Sequence, residues 1–374
     1  MTRLLHTADW QIGRQYGRFA PDDALALAEA RFAAVERLAQ LAREHGADAV
    51  LVAGDVFDAQ TVSDRTIRRL FLALEGYAGP WLLLPGNHDA ALAESVWERA
   101  RRLRAIPGHA HVLDTPGVHR FETAGFAVLA APLTQRQTAQ DLTEPFDALE
   151  TPAEMLRIGL AHGSVQSLLA DGIDAPNPIA ADRAERARLD YLALGDWHGA
   201  RQVNARTWYA GTPEPDRFRN NESGQALLVE LDGPGLPPRV SPLAVGRHAW
   251  HEWMVQLRVA TDLDDLLARL RGLPAPAVLA LDIEGQTDLD GHRRLADALA
   301  EAEARHRSVQ ARLDGLRLLP TEAELASLQA DGYLGAVIAQ LREQQDAVDG
   351  TVARDALAIL AGLLAAQAPG SREA

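Results

Sequence analysis

Between Arg3 and Leu194 the chain contains five short apolar runs, each emptying into a loop that carries an acid, an amide or an imidazole. This arrangement constrains the fold more than any other feature of the sequence. The runs are Arg3 to Thr7, Asp48 to Ala53, Trp81 to Leu84, Leu156 to Ala161 and Tyr191 to Leu194. Helical spacing separates the first three: Leu25, Ala28, Phe32, Val35, Leu38 and Leu41 recur between Asp22 and His45, where Gly46 is placed to end a helix, and Ser63 to Tyr77 forms a second. Strands alternating with helices over short connections predict an α/β fold with a largely parallel sheet covered on both faces. In such sheets the loops at the carboxyl ends of the strands carry the site.

The intervening sequence is less regular. A helix is expected near Leu92 to Leu103, and then short extended runs, Val112 to Leu113, Val118 to Glu122 and Phe126 to Ala131, expected to be antiparallel. Trp208 to Pro213 and Ala226 to Leu231 complete the strands of a first domain, residues 1–232. The turn cluster Gly233 to Pro238 opens a linker over 233–249, in which Val240 to Val245 is taken as a bridge. From Trp250 a strand, helix, strand, helix, strand order gives a smaller α+β unit over 250–319 without the loop pattern seen before. Residues 320–367 are expected to be helical, and their apolar stripe near the end (Val352, Leu357, Ile359, Leu360, Leu363, Leu364) is either local core or a docking surface. Residues 368–374 are expected to be a disordered tail.

Composition narrows the class. About 47% of the 374 residues are hydrophobic, enough for globular cores, and there are no cysteines, which removes disulfides and thiolate metal ligands. A net charge of -15 argues against a surface coated for nucleic acid, so any DNA contact is local, helped by cations or shared with a partner. No leader or membrane-spanning run is expected, and the default location is cytoplasmic.

The strand-exit groups are Asp9 and Gln11; Asp55; Asn87 and His88; His162; and Asp196 and His198. Oxygen and imidazole donors without thiolates suit Mn²⁺, Mg²⁺ or Fe²⁺ better than a structural Zn²⁺. With His88 set aside as a proton donor, the seven others are too many for one ion and about right for two. Two ions roughly 3.5–4 Å apart that share a carboxylate clamp a phosphate ester and activate a water, so the reaction class is phosphate-ester hydrolysis.

The motifs Asp9-x-Gln11, Gly54-Asp55-x-x-Asp58, Gly86-Asn87-His88-Asp89, His162-Gly163 and Gly195-Asp196-x-His198 resemble, in order, those of the calcineurin-like metallophosphoesterases. Within that superfamily, His6 to Trp10, Gly54 to Asp58 and Tyr209 to Pro213 are most similar to the SbcD-type DNA repair exonucleases. The resemblance implies a β-sandwich flanked by helices, a cap domain matched by layout alone, and C-terminal helices that dock an SbcC-like coiled-coil ATPase. It also implies a homodimer acting on DNA, with two divalent ions, Mn²⁺ foremost. Position by position, it makes Asp55 the bridging carboxylate, with Asp9, Gln11 and His198 completing one metal site and Asn87, His162 and Asp196 the other. His88 matches the catalytic histidine, with Asp89 behind it.

Gln11 and Asp196 depart from that pattern, which usually has histidine at both positions. An amide oxygen is the weaker ligand, so the first site is expected to hold its ion loosely or to fill only when substrate binds, while Asp196 favours harder ions at the second. Arg14 and Arg18 are candidates for holding DNA phosphates, solvated surface being the alternative. Trp197 either stacks on a base or packs on the sheet. Two rival functions remain: a phosphoesterase of small esters, against which the extra domain counts, and a weakly active scaffold for an ATPase.

Overall fold

The computed structural model describes residues 1–165, 176–218, 221–327, 333–345 and 350–367. It divides into two compact units, Met1–Ala249 and Trp250–Ala374.

The first unit begins with β1 (Thr2–Thr7), α1 (Pro21–Glu44), β2 (Ala49–Val52), α2 (Asp64–Ala73), β3 (Trp81–Leu83), α3 (Val96–Arg102) and β4 (Ala110–Val112). Each helix returns the chain to the start of the next strand, so β1 to β4 pair in parallel. Then come β5 (Gly117–Phe121), β6 (Phe126–Ala131), β7 (Leu156–His162), β8 (Ser164–Val165), β9 (Pro178–Ile179), α4 (Arg183–Arg186) and β10 (Tyr191–Gly195). The unit closes with β11 (Arg201–Gln202), β12 (Thr207–Tyr209), β13 (Gln225–Leu231) and β14 (Arg239–Ala244). One six-stranded sheet has the order β14-β13-β1-β2-β3-β4, and a second has β11-β12-β10-β7-β6-β5.

The two-residue alternation of the strands divides their side chains between two cores. Leu5, Val50, Val52, Trp81 and Leu83 pack against Val35, Leu38, Ile67, Leu70 and Trp97 of the three helices. Their neighbours Leu4, Leu51 and Leu82 face the other way, onto Val128, Ile158, Leu160, Tyr191 and Ala193 of the second sheet. The first sheet is therefore covered on both faces, by helices on one and by a second sheet on the other. Each fully buried Leu or Val contributes about 1.5–3 kcal/mol.

Two expectations are corrected. The run at Val112 to Leu113 is parallel to β3, because α3, capped by the Ser95 hydroxyl, makes a crossover there and not a hairpin. The supposed bridge at Val240 to Val245 is largely β14, paired antiparallel with β13 from Gln225↔Ala244 to Glu230↔Arg239. The turn at Gly233 to Pro238 reverses the chain into a hairpin, so Arg239–Ala244 of the expected linker belongs to the first sheet.

The second unit has β15 (Ala249–Leu257), α5 (Ala260–Gly272), β16 (Ala277–Thr287), α6 (Leu289–Arg305) and β17 (Ser308–Leu318), followed by α7 (Glu322–Ser327), α8 (Tyr333–Gln344) and α9 (Gly350–Gln367). Its sheet order is β15-β16-β17, and Leu263, Leu266, Leu270, Leu295 and Leu299 of the helices cover Leu279, Leu281 and Ile283. On α9, Leu357 and Ala361 pack with Leu325 and Ile338, while Val352, Ile359 and Leu363 are exposed. The expected disordered tail lies outside the described residues. No described helix is long and apolar enough to cross a membrane.

Candidate metal centre

The loops leaving β1 and β2 run side by side: the N–H groups of Asp9, Gln11 and Ile12 donate to the carbonyls of Gly54, Asp55 and Val56 at 3.0, 2.9 and 2.9 Å. Asp9, Gln11 and Asp55 all take left-handed backbone conformations, with φ of 54°, 49° and 53°. Such strain costs roughly 1–3 kcal/mol per residue and persists only where the surroundings enforce it.

The loop after β3 closes against them. A Cβ on Gly86 would lie 2.3 Å from the Asp55 backbone nitrogen, so only glycine allows the approach, and the His88 N–H donates to Asp55 Oδ1 at 2.9 Å. From the second sheet, His162 Nδ1 lies 2.8 Å from the Ala53 carbonyl, over Gly54, whose missing side chain makes room for the imidazole. The Asp196 N–H is shared between both oxygens of Asp9 at 3.2 Å, and Asp196 Oδ2 accepts from the Ser164 hydroxyl at 2.7 Å.

Buried Asp9, Asp55 and His162 each present one ligand atom, all within 4.8 Å of one another. His162 Nε2 is 3.5 Å from Asp55 Oδ1 and 3.8 Å from Asp196 Oδ1. Asn87 Oδ1 lies 2.8 Å from His162 Nε2. Turned over, the amide would instead set its nitrogen 3.1 and 3.2 Å from the Asp55 oxygens. Oxygen inward suits a cation among these groups; nitrogen inward suits a hydrogen-bonded centre without one.

The charges are crowded. Burial resists a proton on His162, but Asp55, Asp9 and Asp196 outweigh it and lift that residue to about 9. Burial, opposed by His198 and His162, pushes Asp9 up to about 6, and burial followed by Asp55 pushes Asp89 up to about 7. The donor set on this side fits a hard divalent ion, which would relieve the crowding.

The other expected residues stand as follows. His88 Nδ1 is 2.7 Å from the Asp58 carbonyl and Nε2 is 3.9 Å from Asp55 Oδ2, with the ring partly exposed. The Asp58 backbone therefore orients this ring. Asp89, expected behind it, accepts instead from the N–H groups of Gly86 and Phe57 at 2.7 and 3.0 Å. Gln11 turns its amide nitrogen, not its oxygen, to Asp55 Oδ2 at 3.0 Å, while Arg14 Nη1 donates to its oxygen at 3.0 Å. His198 lies near Asp9 but outside the close cluster; its Nδ1 is 3.0 Å from Asp216 Oδ2 and 2.9 Å from Arg217 Nη2. The Gln11 and His198 side does not fit an ion as the other side does. The Arg18 guanidinium sits 5.0 Å from the ring centres of both Phe19 and Phe218. Trp197 packs partly buried against the outer core of the second sheet, with the Arg201 guanidinium 5.5 Å from its ring centre.

Sequence reasoning missed Asp216, Arg217, Arg31 and Ser164. One signal was present: Arg31 lies one turn from Leu27 and Val35 on the buried stripe of α1, and a cation there requires a buried acid. That acid is Asp216, 3.6 Å from Arg31 Nη2.

A model of the calcineurin-like phosphoesterase family matches residues 2–198, more than half of the chain and all five loops. The chain belongs to this family. It is similar to the SbcD subunit of nuclease SbcCD from Rhodobacter capsulatus, 43% identical over 118 residues that cover 30% of this chain and 27% of that protein. The corresponding SbcD subunit of Escherichia coli K12 is 37% identical over 267 residues, covering 61% of this chain and 64% of that protein. The DNA double-strand break repair protein Mre11 of Aeropyrum pernix is 26% identical over 285 residues, 71% of this chain and 64% of that protein. The chain thus matches between 27% and 64% of the length of these relatives.

Proposed function

We propose that this calcineurin-like phosphoesterase is a manganese-dependent DNA nuclease of double-strand-break repair, cytoplasmic and homodimeric, working with an SbcC-like coiled-coil ATPase. The observation that carries the reading is the buried Asp9, Asp55 and His162 cluster with the partly exposed His88 imidazole beside it. The relatives are named as subunits of nuclease SbcCD and a DNA double-strand break repair protein, which supports DNA as the substrate and a second kind of subunit as the partner.

Bound at the cluster, with Asn87 and Asp196 beside it, a divalent ion supplies Lewis acidity toward a phosphoryl oxygen and makes water a better nucleophile. The protein supplies the rest. Asp55 is fixed by the His88 N–H, and His162 by the Ala53 carbonyl, so these two side chains are already oriented before an ion binds. His88 is held by Nδ1–H on the Asp58 carbonyl, so the imidazolium form of the ring has its Nε2–H left to give to the departing oxygen of the ester and returns to the neutral ring. Asp89 acts as a positioning residue for the loop. Arg14 and Arg18 are the proposed phosphate contacts, which an acidic chain requires to be local. The exposed apolar residues of α9 support the C-terminal helices as the docking element.

The test offers the purified chain single-stranded DNA, blunt duplex and a chromogenic phosphodiester, with Mn²⁺ or with EDTA, beside His88→Ala. DNA should be lost with Mn²⁺ and spared by EDTA, and the variant should be slower by roughly 10²–10⁴-fold. Cleavage of the chromogen alone would replace this reading with a small-ester hydrolase. Sedimentation checks the dimer.

A further inference from the structure

The nuclease reading implies two ions, but the half of the centre around Gln11 and His198 is already furnished with cations. Arg14 Nη1 donates to Gln11 Oε1 at 3.0 Å, and the Gln11 amide nitrogen then donates to Asp55 Oδ2 at 3.0 Å. Reversing that amide would set its nitrogen against a guanidinium and its oxygen against a carboxylate. Arg14 therefore fixes Gln11 with its donor end toward the cluster, where a second ion would need an oxygen.

His198 is constrained in the same way. Arg217 Nη2 lies 2.9 and 3.4 Å from its two ring nitrogens, and Asp216 Oδ2 is 3.0 Å from Nδ1. Asp216 is buried and anchors the group, with Arg14 at 3.4 Å, Arg31 at 3.6 Å and Arg217 at 2.9 Å. Guanidinium groups do not lose their protons in proteins, so this charge is permanent. A second divalent ion ligated by Gln11 and His198 would sit beside like charge in a partly desolvated place.

We propose that this chain binds one divalent ion tightly, at Asp9, Asp55 and His162, and that Arg14 and Arg217 stand in for the second ion as fixed guanidinium charge. This inference rests on the metal-dependent reading above and deepens it. Arg14 and Arg217 keep 27% and 38% of their side chains exposed, whereas Arg31 is buried, so the first two are the ones a DNA phosphate can reach. The phosphate then meets one exchangeable ion and two charges that chelators cannot remove.

The test counts metal without using activity. The full-length chain is stripped with chelator and equilibrated with Mn²⁺; bound manganese is measured by elemental analysis, and its electron paramagnetic resonance shows whether ions are isolated or spin-coupled. One ion per chain with an isolated signal is expected, rising to two with a coupled signal when Gln11→His and Arg14→Ala are combined. Two tightly held ions in the unaltered chain would overturn this inference and leave the metal-dependent reading standing, whereas no tight ion would overturn both. One ion in both proteins would overturn the role given to Arg14. Should the double variant not fold, the count on the unaltered chain still decides the number of ions.

Discussion

His162 Nδ1 lies 2.8 Å from the carbonyl oxygen of Ala53, so an imidazole from the second sheet is aligned by the end of a strand in the first. A ring that donates through Nδ1 keeps Nε2 as its ligand atom. In the metal-free protein the surrounding carboxylates hold a proton on this ring up to about 9, against the effect of burial. Metal and proton compete for Nε2, and the sign follows: below about 9 the proton must leave before the ion binds, so affinity rises with pH. Titration with Mn²⁺ from roughly pH 7 to 8.5, above the range in which Asp9 takes up a proton, should show affinity increasing by about tenfold per pH unit, with one proton released. Affinity independent of pH would contradict a ligand role for His162.

Because the His88 ring is oriented by the Asp58 carbonyl and stands 3.9 Å from Asp55, removing it should separate chemistry from metal binding. His88→Ala is expected to lower kcat by roughly 10²–10⁴-fold while the manganese affinity stays within a few-fold. Equal losses in both would make His88 a ligand and not a proton donor.

Asp89 joins two loops through the N–H groups of Gly86 and Phe57, both bonds buried. Asp89→Ala leaves two donors without partners and should destabilise the fold by roughly 2–4 kcal/mol in urea unfolding. A change under about 0.5 kcal/mol would mean that water or a rearranged loop replaces the carboxylate.

His6, fully buried and 2.9 Å from the Tyr191 hydroxyl, is pushed down to about 3 by burial. The unfolded chain takes up its proton near 6.5, so the stability from a neutral His6 is complete above that pH and lost as pH falls toward 3. Between about pH 6.5 and 4 the protein should lose on the order of a few kcal/mol more stability than His6→Phe. Parallel pH profiles for the two would rule His6 out as an acid-sensitive group.

What could be read in the sequence follows from the range of each interaction. The strands of the five loops were legible because continuous apolar runs, four of them followed closely by a glycine, are local signals, and the candidate residues fall on those exits. Strand β14 was not, since Arg239, Ser241 and Pro242 read as linker; it is a largely exposed edge, where proline is tolerated and little apolar burial is needed. The position of Asp89 depends on how the loop turns after Asn87, and adjacency to His88 suggested the wrong partner. The Arg14, Asp216 and His198 group joins distant segments of the chain, and no spacing encodes it. The departure at Gln11 was visible, but the Arg14 guanidinium bonded to its oxygen required the fold.

The most direct measurement is a crystal grown at saturating manganese, with data collected on both sides of the manganese absorption edge. The expected result is an anomalous peak bonded to Asp9, Asp55 and His162, absent in crystals of Asp55→Asn. A peak located elsewhere, or no peak at that cluster in well-ordered crystals, would contradict a metal-dependent phosphoesterase built on these loops.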